Sequence, residues 1–127
     1  MYMNRYIEKM TINRAAIILR YKQKAVEWIN KADPSAEQID ITVENAHNDG
    51  TVYLVSDKNT EDTTDIERWI KRNYEPLFEA ELASWYTDKK LWPKKRTYNL
   101  FNEWFVVECH TVVEDTVGTP IIIDDEG

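Results

Sequence analysis

Apolar residues change their spacing several times along the chain, and each change predicts a different element. The run Ala15-Ala16-Ile17-Ile18-Leu19, bounded by Arg14 and Arg20, is short, continuous and aliphatic. Such a run predicts a central strand buried on both faces. After Tyr21 the interval becomes helical: Ala25, Trp28, Ile29 and Ala32 recur on one side, with Lys22, Lys24, Glu27 and Lys31 on the other. Asp33-Pro34 ends this helix, because proline disfavours helical backbone in the preceding residue and brings no amide donor. Residues 35–48 support two readings: Ile39, Ile41 and Val43 alternate as in a strand, whereas Thr42 suits the cap of a helical turn through Ala46. Asp49-Gly50 marks a turn, and Thr51 to Val55 predicts a second strand.

A long amphipathic segment follows. Thr64 and Glu67 have the spacing of a capping box. Ile66, Trp69, Ile70, Tyr74, Leu77, Phe78, Leu82 and Trp85 then trace one stripe at about 3.6 residues per turn. Pro76 removes one backbone donor, which predicts a kink or two abutting helices with the break near Asn73 to Glu75. Thr87 to Arg96 reads as a loop, after which Thr97 can cap a short helix carrying Tyr98, Phe101 and Phe105 on one face. From Val106 to Val117 the alternation predicts a third strand, with Val107, Cys109, Thr111 and Val113 facing one way and Glu108, His110, Val112 and Glu114 the other. A Gly-Thr-Pro turn then leads to a short edge strand at Ile121 to Ile123. The fold class expected is α+β: a two-layer sandwich with a three- to four-stranded sheet and helices mainly on one face. If the first two strands are neighbours, the connection between them should be right-handed.

Composition narrows the class. With 127 residues, 43% apolar and 31% charged, the chain suits one domain over residues 1–127. The acidic tail at 124–127 is expected to be mobile. No apolar run approaches the roughly 20 residues of a membrane span. Met1 to Met10 shows no apolar leader pattern, which points to the cytoplasm. A net charge of −7 disfavours nucleic acid and anionic lipid as broad partners. The single cysteine rules out an intrachain disulfide, and with only two histidines the supply of soft metal ligands is thin. Glycine-rich phosphate loops, nucleophile elbows and zincin helices are missing, so no cofactor or metal is expected and a non-enzyme is favoured.

Two constellations remain. In Glu108-Cys109-His110 the alternation sends the thiol one way and the imidazole the other, which excludes a cysteine nucleophile activated by its neighbour. Glu108 can still orient His110 as a general base; the bland alternative is a solvated sheet face with Cys109 as a small core residue. His110 with Glu108, Glu114 or Asp115 offers metal donors without a known spacing. His47 reads as a surface histidine before a turn. The second constellation, Lys89 to Arg96, carries five positive charges and no negative one. Trp92, Lys94, Lys95 and Arg96 suit an anionic small ligand, a phosphate or single-stranded RNA, held by charge and stacking. Against this, Trp92 can turn inward as an anchor. The surplus of five tryptophans and seven tyrosines suggests an aromatic interface and a homodimer.

Asn13 to Leu19, Val26 to Asn30, Thr51 to Val55 and Trp92-Pro93-Lys94-Lys95-Arg96-Thr97, with Phe101, Trp104-Phe105, Val107-Glu108 and His110, resemble a family of small bacterial cytosolic proteins of uncharacterised function. The resemblance implies no activity. It implies a bacterial origin and a start near Met10 in many relatives, making Met1 to Lys9 an extension or a misassigned start. The functional expectation is a small cytosolic accessory or binding protein, oligomeric and acting through the aromatic and basic surface at Trp92 to Arg96. Its rivals are a hydrolase-type or metal-assisted enzyme centred on His110 and Glu108, and a phosphate or RNA binder using the 89–96 loop.

Overall fold

The computed structural model describes residues 10–34, 40–47 and 50–124. Met1 to Lys9 and the last three residues of the acidic tail therefore lie outside the described residues, as does Ile39. The elements are β1 (Arg14–Tyr21), α1 (Gln23–Lys31), β2 (Val52–Ser56), α2 (Thr63–Trp85), α3 (Tyr98–Trp104) and β3 (Phe105–His110), with short 3-10 turns at Asn45–His47, Asp57–Asn59 and Lys89–Leu91. The sheet has the order β2-β1-β3 and both pairs are antiparallel. It is the expected α+β fold, and β1 is its centre. Because β1 and β2 run antiparallel, the handedness rule for parallel crossovers has no bearing on their connection.

The pleat divides the sheet into two unlike faces. Ala15, Ile17, Leu19 and Tyr21 of β1 are buried beneath the helices, whereas Ala16, Ile18 and Arg20 are half-buried on the outer face. The expectation of a strand buried on both faces is thus corrected. The aliphatic run is continuous because Ala16 and Ile18 sit mid-sheet, where neighbouring strands shield them, and not because a second helical layer covers them.

The helices follow the predicted stripes except that Phe105, expected on the face of α3, is the first residue of β3, and that α2 differs in two respects. Its cap is Asp62, whose carboxylate accepts the Asp65 N–H at 2.8 Å, and not Thr64, which is already helical. Nor does Pro76 divide it: the helix runs unbroken for 23 residues. Ile70 on one side of the proline and Leu77, Phe78 and Leu82 on the other are buried in the same core, so packing on both sides outweighs one missing hydrogen bond. Thr97 does cap α3, accepting the Leu100 N–H at 3.1 Å. At residues 40–47 the capped turn prevails over the strand, with Thr42 and Asn45 exchanging side-chain bonds to each other's amides.

β3 ends at His110, sooner than the alternation suggested. Ala16 faces His110 and Thr11 faces Glu114, so β1's side of the ladder holds one residue more than its partner between those pairs. That is the mark of a bulge, which interrupts pairing and shifts which face each side chain takes. Ile121 to Ile123 form no strand and are 70%, 84% and 87% exposed.

Aromatic rings fill the space between α1, α2, α3 and the sheet. Phe78, fully buried, meets Phe101, Trp104 and Phe105 at centroid distances of 5.9, 5.1 and 5.5 Å, all edge-on. Trp92 and Trp104 are buried and Trp28, Trp69 and Trp85 half-buried. The aromatic surplus expected at an interface therefore packs largely into or against the core.

Candidate functional site

Three places bring chemically capable side chains together. On the outer sheet face Arg20 of β1 grips Glu108 of β3 through two bonds, Nε to Oε1 at 2.9 Å and a terminal nitrogen to Oε2 at 3.1 Å. His110 Nε2 lies 2.6 Å from the same Oε2. The pleat accounts for this, since residues two apart on β3 share a face, and Arg20 reaches diagonally across the antiparallel ladder. Glu108 and His110 thus meet as the sequence predicted. Cys109 points the other way, packs against the core, and has its thiol pKa raised by burial. It is neither beside the imidazole nor activated.

Arg20, then His110, hold the Glu108 carboxyl down to about 2. A depressed carboxyl pKa stabilises the fold above the ordinary carboxylate range, and that contribution is lost as pH falls through the lowered value. An NMR titration of the Glu108 carboxyl carbon is expected to show its midpoint near 2, and in Arg20→Ala to return it towards the ordinary value of about 4. An unshifted midpoint in the native chain would refute the clamp. With its side chain 57% exposed, His110 stands on an open surface. Glu114, offered as a further donor, is instead held by the Thr11 hydroxyl at 2.7 Å. Among the described residues no three His, Cys, Asp or Glu side chains converge on a metal position. His47 belongs to the Asn45–His47 turn.

The basic loop is firmly fastened. Trp92 is 8% exposed and its indole N–H donates to the Tyr86 carbonyl at 2.7 Å. The Trp28 indole donates to the Leu91 carbonyl at 2.9 Å. Arg96 bonds the Pro93 carbonyl and the Glu79 carboxylate while lying over the Trp92 ring, 5.6 Å from its centroid. Trp92 and Arg96 are therefore brought together as an anchor, and the tryptophan has turned inward. Lys94 and Lys95 are not part of that anchor; they are exposed, as are Lys89 and Lys90.

The third place was not singled out from the sequence. Glu81 of α2 is 6% exposed, and its two oxygens accept the hydroxyls of Tyr21 and Tyr53, each at 2.5 Å. The Trp85 indole N–H in turn donates to the Tyr21 oxygen at 2.9 Å. Burial, together with the adjacent Glu81 carboxylate, raises both phenol pKa values, so these tyrosines stay neutral hydrogen-bond donors far into alkali. The available signal was a lone acidic residue in the stripe Phe78-Leu82-Trp85, where a solvated glutamate does not belong.

Among the described residues no helix is long and apolar enough to cross a membrane. No family model, curated protein or solved structure matches the chain.

Proposed function

We propose that this chain is a cytoplasmic binding protein without covalent chemistry that works as a homodimer joined across the outer face of its sheet. One observation carries the proposal. Every exposed large hydrophobic among the described residues lies either on that face, at Val52, Leu54 and Val106, or in the segment after β3, at Val112, Val117 and Ile121 to Ile123. Leu54 stands opposite Ala16, and Val52 opposite Ile18, so the apolar positions adjoin. Ile12, Leu54, Val117, Pro120 and Ile121 already line a shallow groove of about 340 Å³. Contiguous apolar surface of this kind is uncommon on monomers.

The occupant is the Ile121–Ile123 segment of a second copy. An extended apolar arm and the apolar part of an open sheet face, beside the Arg20–Glu108–His110 cluster, satisfy each other on one chain by two-fold exchange, in which each copy supplies both halves. The lone cysteine, held as a free thiol, suits a reducing compartment. Sedimentation at micromolar concentration is expected to give twice the 15.1 kDa of one chain. Leu54→Lys or Ile122→Asp is expected to return the chain to monomer with unchanged circular dichroism. Monomeric native protein, or dimers indifferent to both changes, would defeat the proposal.

A second reading draws on the fastened 89–96 loop. Lys89, Lys90, Lys94 and Lys95 project from a segment whose Leu91 and Pro93 carbonyls are tied down by Trp28 and Arg96 and whose Trp92 is anchored on the Tyr86 carbonyl. Such a patch is pre-organised for an anionic small ligand such as inorganic phosphate. Binding should weaken as salt rises and in Lys94→Glu with Lys95→Glu; affinity unaffected by both would dispose of it.

A further inference from the structure

We infer that the cleft at Glu81 is a binding site for a small organic ammonium ion. The cleft, about 210 Å³, is bounded by the last residues of β1, by Ala46, Gly50 and Thr51, and by the end of α2, and its lining includes Tyr21, Glu81, Ser84 and Trp85. β2 begins at Val52, paired with Ile18, so β1 extends beyond its partner strand and leaves this space open beside it.

A buried carboxylate ordinarily needs a cationic partner or a full set of hydrogen bonds. Glu81 has two neutral phenols, and no Lys, Arg or His among the described residues forms an ion pair with it. Two hydroxyls fill two of about four lone-pair positions, leaving acceptor capacity. Among the described residues the one cation in the lining, Arg20, is committed to Glu108 on the outer face.

Ligand class follows from the walls. Tyr21 and Trp85 border the carboxylate, and aromatic faces attract an alkylated ammonium by their quadrupole while covering its methyl groups. A divalent metal is a poorer match, because it requires about six oxygen ligands and the lining brings one carboxylate among the described residues. The bond from the Trp85 indole to the Tyr21 oxygen holds both rings in place before a ligand arrives. Ile18 and Arg20 of the outer face border this cleft, whereas Tyr21 and Glu81 are buried under the helices, so the inference does not rest on the dimer.

The probe is tetramethylammonium chloride, followed through the Trp85 indole N–H resonance and compared with sodium chloride at matched concentration. Saturable binding is expected in the native chain. Glu81→Gln, which leaves both phenols an acceptor, is expected to weaken binding about tenfold or more, and Glu103→Gln, outside the cleft, to leave it unchanged. Thr51→Lys supplies an ammonium from the mouth of the cleft and is expected to abolish binding while raising the melting temperature, which keeps the test valid if Glu81→Gln unfolds. The inference fails if sodium chloride reproduces the shifts, if the native chain never saturates, or if either cleft variant binds like the native protein.

Discussion

Phe78→Ala is expected to lower the stability of the fold by about 3–5 kcal/mol, the range for deleting a buried phenylalanine. Phe78 is fully enclosed and makes edge-on contacts with Phe101, Trp104 and Phe105. Those rings are held by different elements, α3 and β3, so they cannot close together over the cavity without moving helix against sheet. Since small domains are stable by only about 5–15 kcal/mol, the variant should unfold at much lower urea. A loss below about 1.5 kcal/mol would mean that the core collapses around the gap.

Glu81→Ala is expected to cost about 2–4 kcal/mol, because it leaves the buried Tyr21 hydroxyl and the half-buried Tyr53 hydroxyl without an acceptor. The cost arises from stranded donors and not from a strong net attraction, and a combined variant separates these causes. Glu81→Leu with Tyr21→Phe and Tyr53→Phe removes donors and acceptor together, so most of the loss should be recovered. Recovery stays incomplete by about 1 kcal/mol, since the Trp85 indole loses the Tyr21 oxygen. If the combined variant were as unstable as Glu81→Ala, the hydrogen-bond account of this cluster would be wrong.

Legibility in the sequence tracked how far each signal was local. The strand at Ala15 to Leu19 was readable as a short, charge-bounded aliphatic run, the stripe from Ile66 to Trp85 from its period of 3.6, and the strand from Val106 onward from its period of 2. The pairing of Glu108 with His110 followed from the same periodicity. What escaped depended on distant partners. Arg20 joins Glu108 across 88 positions of chain, and Tyr21 reaches Glu81 across 60. The end of β3 depended on a bulge whose extra residue sits on the opposite strand. The inward turn of Trp92 required the Tyr86 carbonyl as acceptor, and a lysine-flanked tryptophan looks the same in sequence whether its ring is buried or displayed. At Pro76 a sound local rule was overridden by core packing on both sides.

The functional account turns on where the exposed isoleucines go. It is tested most directly by filtered NMR on a sample in which half the chains carry labelled isoleucine methyls and half are unlabelled. Transfer from Ile121–Ile123 methyls to Val52, Leu54 or Val106 of the unlabelled chains is the predicted result. Contacts confined to single chains, with tumbling appropriate to 15.1 kDa, would contradict it.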